Sequence, residues 1–368
     1  MGIFKIKERT SCRKFYFFGI MVYCIRYTES CLQHYLFGLP IFRKRKFFVL
    51  DDNILHLDTS SFHSLTLDDY NILNELQNSG KFTYIPNSGN LGDMLIAAAT
   101  LQFFDAHHLP YVMYHEATSF DTIVYGGGGP WVSDYENSYT KLFPIFAKAK
   151  KIIILPSSFY KCDKLINILD ERFVLFCREK QSYSYLQAAE TKAKIILDHD
   201  MALRMRKDIL KPDNLSISYA DVHLVQMIKP LLSGQCDVGY FLRDDCEKKT
   251  HPTVRNCKND MDLSAFGGGS YLSSRDHIFF SAMLMLSVVD SVKTVVTDRL
   301  HVGIASVLMG KNVYLLDNSY KKISNVYENS LKNLDNVFMC SDFPIDITIE
   351  GTSSSNFQKI NTLISSLI

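Results

Sequence analysis

The chain has 368 residues, 47% of them hydrophobic and 21% charged, with a formal net charge of +1. That length suits two domains of ordinary size, and that apolar content excludes a chain too polar to bury real cores. The net charge itself excludes nothing, but its distribution is uneven. Residues 1–50 hold ten Lys and Arg against Glu8 and Glu29, a net of +8, so the remainder sums to −7.

Within this basic arm the apolar run FYFFGIMVYCI (15–25) is shorter than the ~20 residues of a bilayer span. It also lacks the small-residue cleavage site of a signal peptide. Two readings of the arm stand side by side: a basic, aromatic surface lying on an anionic membrane, or a first strand or helix packed into the N-terminal domain. The nine cysteines are odd in number and form no CxxC pair, which reads as reduced thiols in a cytoplasmic protein.

Beyond the arm, short apolar runs alternate with helix-length segments. FTYI (82–85) precedes a helix opening near Gly92, whose MLIAAATLQFF carries a wide apolar face. DTIVYGGGG (121–129) follows, then a helical stretch up to KAKK, then IIILP (152–156). RFVLFCRE (172–179), the helix SYSYLQAAE and KIIL (194–197) complete a first set. Residues 205–275 are less regular: VGYFLR (238–243) leads into a polar stretch and GGGS, both read as loop. Alternation resumes with the helix HIFFSAMLMLSVV, the strand TVVT (294–297), a helix from Arg299, NVYLLD (312–317) and a last helix near the C-terminus. This pattern predicts an α/β fold of parallel sheets flanked by helices. It divides into an arm and lead-in over 1–80, an N-terminal domain over 81–204 and a C-terminal domain over 205–368. No internal repeat is evident.

In such sheets ligands bind outside the carboxyl ends of strands, and the unusual residues stand there. PNSGNLGD (86–93) supplies Asn90 and Asp93. GGGG (126–129), with Gly127 and Gly128 at its centre, exposes backbone N–H groups able to cradle an anion. Arg178 follows FVLFC, Arg243 follows VGYFL, Arg299 and His301 follow TVVT, and Asn318, Ser319, Lys321 and Lys322 follow NVYLL. Each has a plain reading when taken singly: a turn, a helix N-cap for Asp93, a surface ion pair for Arg178, a structural imidazole. Together they suit a small, highly charged anion, and the cations Arg178, Arg243, Arg299, Lys321 and Lys322 point to phosphate plus carboxylate. The GxGxxG and GxxxxGK[ST] fingerprints are absent, and no HExxH or close His/Cys/Asp cluster implies a metal. No cofactor is expected. RKRK (43–46) is too little to make nucleic acid an expected partner.

The order of these motifs resembles that of the polysaccharide pyruvyl transferase family from roughly residue 84 to 330. The likeness rests on the GNLGD loop, the GGGGP turn, REKQSYSYL (178–186), DHDMAL (198–203) and above all TDRLHVGIASVLMGKNVYLLDNSYKKISNVYE. Where the family pattern often has Gly, this chain has Lys321. The resemblance implies a GT-B-like fold, two Rossmann-like domains facing across a cleft. It implies transfer of the enolpyruvyl unit of phosphoenolpyruvate, without metal or cofactor, onto a sugar of a surface polysaccharide. Acceptors in the family are often lipid-linked, which would place the protein in the cytoplasm at the inner membrane face. Asp93 is then the candidate base. His301 is the acid, or holds phosphate or carboxylate as an imidazolium. Arg178 and Arg299 offer forked donors, with Arg299 alternatively paired to Asp298. Asn90, Gly127, Gly128, Arg243, Asn318, Ser319 and Lys322 complete the substrate-binding set. The rival readings are a metal-independent GT-B nucleotide-sugar glycosyltransferase of sialyltransferase type and a non-catalytic assembly subunit.

Overall fold

The structure is a computed structural model. It describes residues 4–9, 12–17, 20–27, 32–37, 39–44, 48–49, 62–117, 119–207, 216–217, 221, 224–225, 237–245, 262–270, 272–317 and 321–341. The basic arm forms a five-stranded antiparallel sheet of β1 (Phe4–Arg9), β2 (Cys12–Phe17), β3 (Ile20–Tyr27), β4 (Leu32–Leu36) and β5 (Leu39–Lys44), in that spatial order. The run FYFFGIMVYCI thus falls across the β2–β3 hairpin. A short strand, β6 (Phe48–Val49), follows, and α1 (Tyr70–Gln77) leads into the first parallel sheet.

That sheet holds β7 (Phe82–Ile85), β8 (Tyr111–Met113), β9 (Thr122–Tyr125), β10 (Gly128–Val132), β11 (Lys151–Tyr160), β12 (Phe173–Cys177) and β13 (Lys194–Leu197). Its order is β13-β12-β11-β9-β7-β8, with β10 paired to the far end of β11. Two helices of functional weight belong to it: α2 (Leu91–Ala106) after β7 and α3 (Lys180–Ala188) after β12. A two-residue strand, β14 (Ser216–Ile217), pairs back to β6. The second parallel sheet is β15 (Val238–Phe241), β16 (Thr294–Thr297), β17 (Asn312–Leu316) and β18 (Val337–Cys340), in chain order. Its helices are α4 (Arg275–Asp290), α5 (Leu300–Leu308) and α6 (Lys322–Val326).

Strand alternation builds the layers. In β11, Ile153 and Leu155 face one core while Ile152 and Ile154 face another, as a period of two requires. The larger core takes one face of each parallel sheet together with α2, α4 and α5. Buried residues run along α2 and α4 almost without interruption, the mark of helices wrapped by protein on all sides. The two sheets thus share a middle layer of helices.

The stretch expected to be helical up to KAKK is different. β10 takes 128–132, and residues 133–146 form single helical turns. Pro144 lacks an N–H and clashes with the preceding turn, so it sits only at a helix start. Trp131, fully buried against Tyr125, Tyr139, Phe146 and Phe159, fixes the path instead. The repeat not evident from reading along the chain lies in the N-terminal sheet. The turns of its β2–β3 and β4–β5 hairpins repeat, as Tyr16-Phe17-Phe18-Gly19-Ile20 and Tyr35-Leu36-Phe37-Gly38-Leu39.

Candidate active site

The chain leaves β7 through PNSGN and enters α2. Asn90 is the N-cap: its side chain accepts from the Gly92 N–H at 2.8 Å, and Asp93 accepts from the Asn90 N–H at 2.9 Å. This reciprocal box satisfies helix-start donors, and it turns the Asp93 carboxylate toward the strand ends. Asn87 holds the other oxygen, donating to Asp93 Oδ1 at 2.8 Å while accepting from the Tyr125 hydroxyl at 2.8 Å. Burial raises the Asp93 carboxyl above its ordinary value, against the pull of His301, the Asn90 N–H, Lys322 and Arg178.

The opposing groups come from the second sheet. β16 ends at Thr297, and His301 stands in the first turn of α5 with 12% of its side chain exposed. It lies over Gly92, where an added Cβ would fall 2.6 Å from His301 Nδ1. A glycine in this first turn of α2 is what lets the imidazole approach. His301 Nε2 is 3.4 Å from Asp200 Oδ2 and 3.4 Å from Arg178 Nη1.

Arg178 and Asp200 form an ion pair of 2.7 Å with both side chains fully buried. Arg178 Nε also donates to Ser158 Oγ at 2.9 Å, and its Nη2 has no hydrogen-bond partner among the described residues. Burial would push the Asp200 carboxyl up, but the hydrogen bond from His301 and the charge of Arg178 outweigh it and hold it well below the usual carboxylate range. The unpartnered nitrogen points the way to an anion: an added Cβ on Gly129 would lie 3.4 Å from Arg178 Nη2 and 2.5 Å from Lys322 Nζ.

Arg243 and Arg299 are engaged differently. Arg299 Nε donates to Asp262 Oδ1 at 2.8 Å, and its Nη2 reaches both Asp262 and Asp245. Arg243 Nε donates to Asp245 at 2.9 Å, and its backbone N–H donates to Asp298 at 2.7 Å.

A cavity of about 480 Å³ opens among these groups, the size of a small-molecule site. Asn90, Asp93, Arg243, Arg299, His301 and Lys322 line it, as do Gly129 of the GGGG turn and Asn87 and Tyr125, which sequence reasoning did not single out. Three sequence expectations need correction. Gly127 and Gly128 do not line the cavity: a Cβ on Gly127 would strike the Pro156 carbonyl at 2.5 Å, and Gly128 packs against Asn87 and Asp93. They are glycines for close packing, and the adjacent Gly129 faces the cavity. Arg178 pairs with neither Glu179 nor a surface acid and sits behind the cavity wall, whereas Glu179 caps α3. Arg299 pairs with Asp262 and Asp245 rather than Asp298. Asn318 and Ser319 lie outside the described residues. Among the described residues no group of His, Cys, Asp and Glu has the arrangement of a metal site, and no helix is long and apolar enough to cross a membrane.

The family model for polysaccharide pyruvyl transferase matches residues 90–320, which contain nearly every group just described. The chain belongs to the polysaccharide pyruvyl transferase family. It is a transferase that acts on polysaccharide. General stress protein 30 of Bacillus subtilis (strain 168) is 24% identical over 314 residues, covering 77% of this chain and 83% of that protein. The crystal structure of a functionally uncharacterised protein from Klebsiella pneumoniae subsp. pneumoniae NTUH-K2044 matches with a TM-score of 0.56 at 27% identity. It covers 73% of this chain and 96% of that one. In this pyruvyl transferase both TDRLH and DHDMAL fall in the matched region, and His301 of the first lines the cavity with Asp200 of the second buried behind it.

Proposed function

We propose that the protein transfers the enolpyruvyl unit of phosphoenolpyruvate onto two hydroxyls of one sugar, forming a pyruvate ketal. The acceptor in this reading is a lipid-linked precursor of a surface polysaccharide, handled at the cytoplasmic face of the membrane. The two parallel sheets, with the junction near residue 205, then serve as Rossmann-like domains of a GT-B-like cleft. The observation that carries the proposal is a single cavity where the Asp93 carboxyl and the His301 imidazole stand beside Lys322, with Arg178 Nη2 just behind Gly129.

The chemistry runs as follows. A proton added at C3 of the donor makes C2 electrophilic. A sugar hydroxyl attacks C2 and gives up its proton to a base, phosphate leaves, and a second hydroxyl closes the ketal. Of the two hydroxyl protons lost, one balances the proton gained at C3 and the other leaves with phosphate. His301, backed by Asp200, is placed to give a proton or to hold phosphate. Asp93, with its carboxyl raised by burial, is placed to take the hydroxyl proton. Raised carboxyl values favour acid–base exchange near working pH, worth roughly 10²–10⁴-fold. Lys322 and the spare Arg178 nitrogen supply positive charge for the donor's phosphate and carboxylate.

The test is a panel of sugar acceptors with phosphoenolpyruvate, reading phosphate release and product mass together, with and without EDTA. Phosphate release matched by a ketal-bearing sugar, unchanged by EDTA, is the expected result. Turnover of a sugar nucleotide in place of phosphoenolpyruvate would overturn the reading, as would activity lost to EDTA and restored by a divalent metal.

A further inference from the structure

Four of the eight large apolar side chains exposed among the described residues gather at one place. Ile20, Leu36, Phe37 and Leu39 are 65%, 44%, 67% and 70% exposed. Ile20 opens β3, Leu36 closes β4 and Leu39 opens β5. Tyr23 pairs with Leu36 across β3 and β4, and the Phe37 N–H donates to the Val22 carbonyl at 2.9 Å. The β2–β3 and β4–β5 turns therefore stand side by side at one end of the sheet, and they are the two copies of the repeated sequence.

Hairpin turns call for Gly, Asn or Asp, which accept unusual backbone angles, rather than for bulky apolar residues. Phe37 departs furthest from that preference. Its φ of 46° lies in the left-handed region, where a bulky residue is an outlier. A ring held in a disfavoured backbone state while facing solvent contributes nothing to the local fold. Such strain is retained where the side chain has other work.

Charge completes the pattern. Lys5, Lys7, Arg13, Lys14, Arg43 and Lys44 occupy strand positions one to five residues back from this tip, about 3–17 Å at ~3.3 Å per residue. Among the described residues of the sheet the opposing acid is Glu8. An apolar tip that enters a lipid surface by ~5–10 Å would bring these strand positions, with their excess of basic residues, to the depth of the headgroups.

We propose that the paired hairpin tips, carrying Ile20, Leu36, Phe37 and Leu39, dock the protein on an anionic lipid bilayer. This goes beyond the chemistry of the cavity and does not depend on it. The test is flotation of the full chain with phosphatidylcholine vesicles, with or without about 30% phosphatidylglycerol, at low salt and at about 0.5 M salt. Binding to the anionic vesicles at low salt, and at least tenfold less to the zwitterionic ones or at high salt, is expected. Phe37→Asn separates docking from folding, because Asn accepts the left-handed conformation. It should keep or raise the melting temperature and cut vesicle binding about tenfold or more, and Leu39→Ser should act in the same direction. Absence of flotation, or full binding by both variants, overturns the proposal. So does a dimer, seen by light scattering, that these variants dissociate, since the tip would then be a protein contact.

Discussion

Arg178 leaves β12 and Arg299 leaves β16, equivalent ends of two parallel sheets, yet they are surrounded differently. Arg299 shares its donors between Asp262 and Asp245, and Arg243 beside it also takes Asp245 and contacts Asp298. Arg178 has one carboxylate, Asp200, and one nitrogen left over next to Lys322 and His301. The Arg299 side thus commits its two arginines to three carboxylates, whereas the Arg178 side keeps one guanidinium nitrogen uncommitted. An arginine at a strand end therefore says little until its carboxylates are counted. An anionic donor is expected beside the uncommitted Arg178 nitrogen, away from the carboxylates that surround Arg299.

The sharpest way to break this comparison is at His301, which leans on the Arg178 side. His301→Ala should lower turnover by about 10²–10⁴-fold, the range for one acid–base group, with the melting temperature little changed. A near wild-type rate would remove the imidazole from the chemistry.

The sequence made this wall partly legible. Arg178 and His301 stood out because cations and imidazoles at strand ends have no turn-forming purpose, Asp93 stood out only in their company, and a wide apolar face announced α2. The partners did not stand out. Asn87 is one more Asn in a loop, and Asp262 ends a polar stretch with no periodic pattern; each matters through contacts with residues distant in the chain, such as Tyr125 for Asn87 and Arg299 for Asp262. Gly127 and Gly129 look alike in GGGG, because the difference lies in what faces them: a fixed carbonyl against the one, a flexible lysine against the other. Lys321 is a legible departure with a structural reading. Its φ of 61° is a conformation that favours glycine, which accounts for the Gly often found there in the family pattern.

Next in size is the buried ion pair. Asp200→Ala leaves Arg178 charged and unpaired, and should cost about 3–5 kcal/mol of stability by urea unfolding. Arg178→Ala carries a similar cost for the converse reason, so its loss of turnover would be joined by loss of fold. The pH dependence follows in sign. The Asp200 carboxyl is held below its unfolded value, so its contribution is present above about pH 4 and is lost as pH falls below that value. The stability gap between wild type and Asp200→Asn should be flat near neutrality and should close progressively in acid.

The Arg299 side should respond in stability rather than kinetics. Arg299→Lys keeps the charge but loses the fork that spans Asp262 and Asp245, and should cost about 1.5 kcal/mol with KM for the donor changed less than about threefold. A KM effect above tenfold would place the donor on the acidic wall and reverse the comparison.

The smallest effect probes the empty space itself. Gly129→Ala puts a methyl against the movable end of Lys322 and within ordinary contact of Arg178, so folding should be nearly unaffected while KM for phosphoenolpyruvate rises about tenfold, or ~1.4 kcal/mol. Gly127→Ala is its control, because a methyl against the Pro156 carbonyl has nowhere to go; that variant should lose stability first.

The shared helical layer has a consequence for how this protein comes apart. With α2 and α4 buried in one core that draws on both sheets, the two halves share their largest interior, and each keeps only a smaller core of its own. Heating should give one cooperative heat-absorption peak rather than two. A chain cut near residue 205 would yield fragments that each expose an oily helix. They would be recovered only when made together.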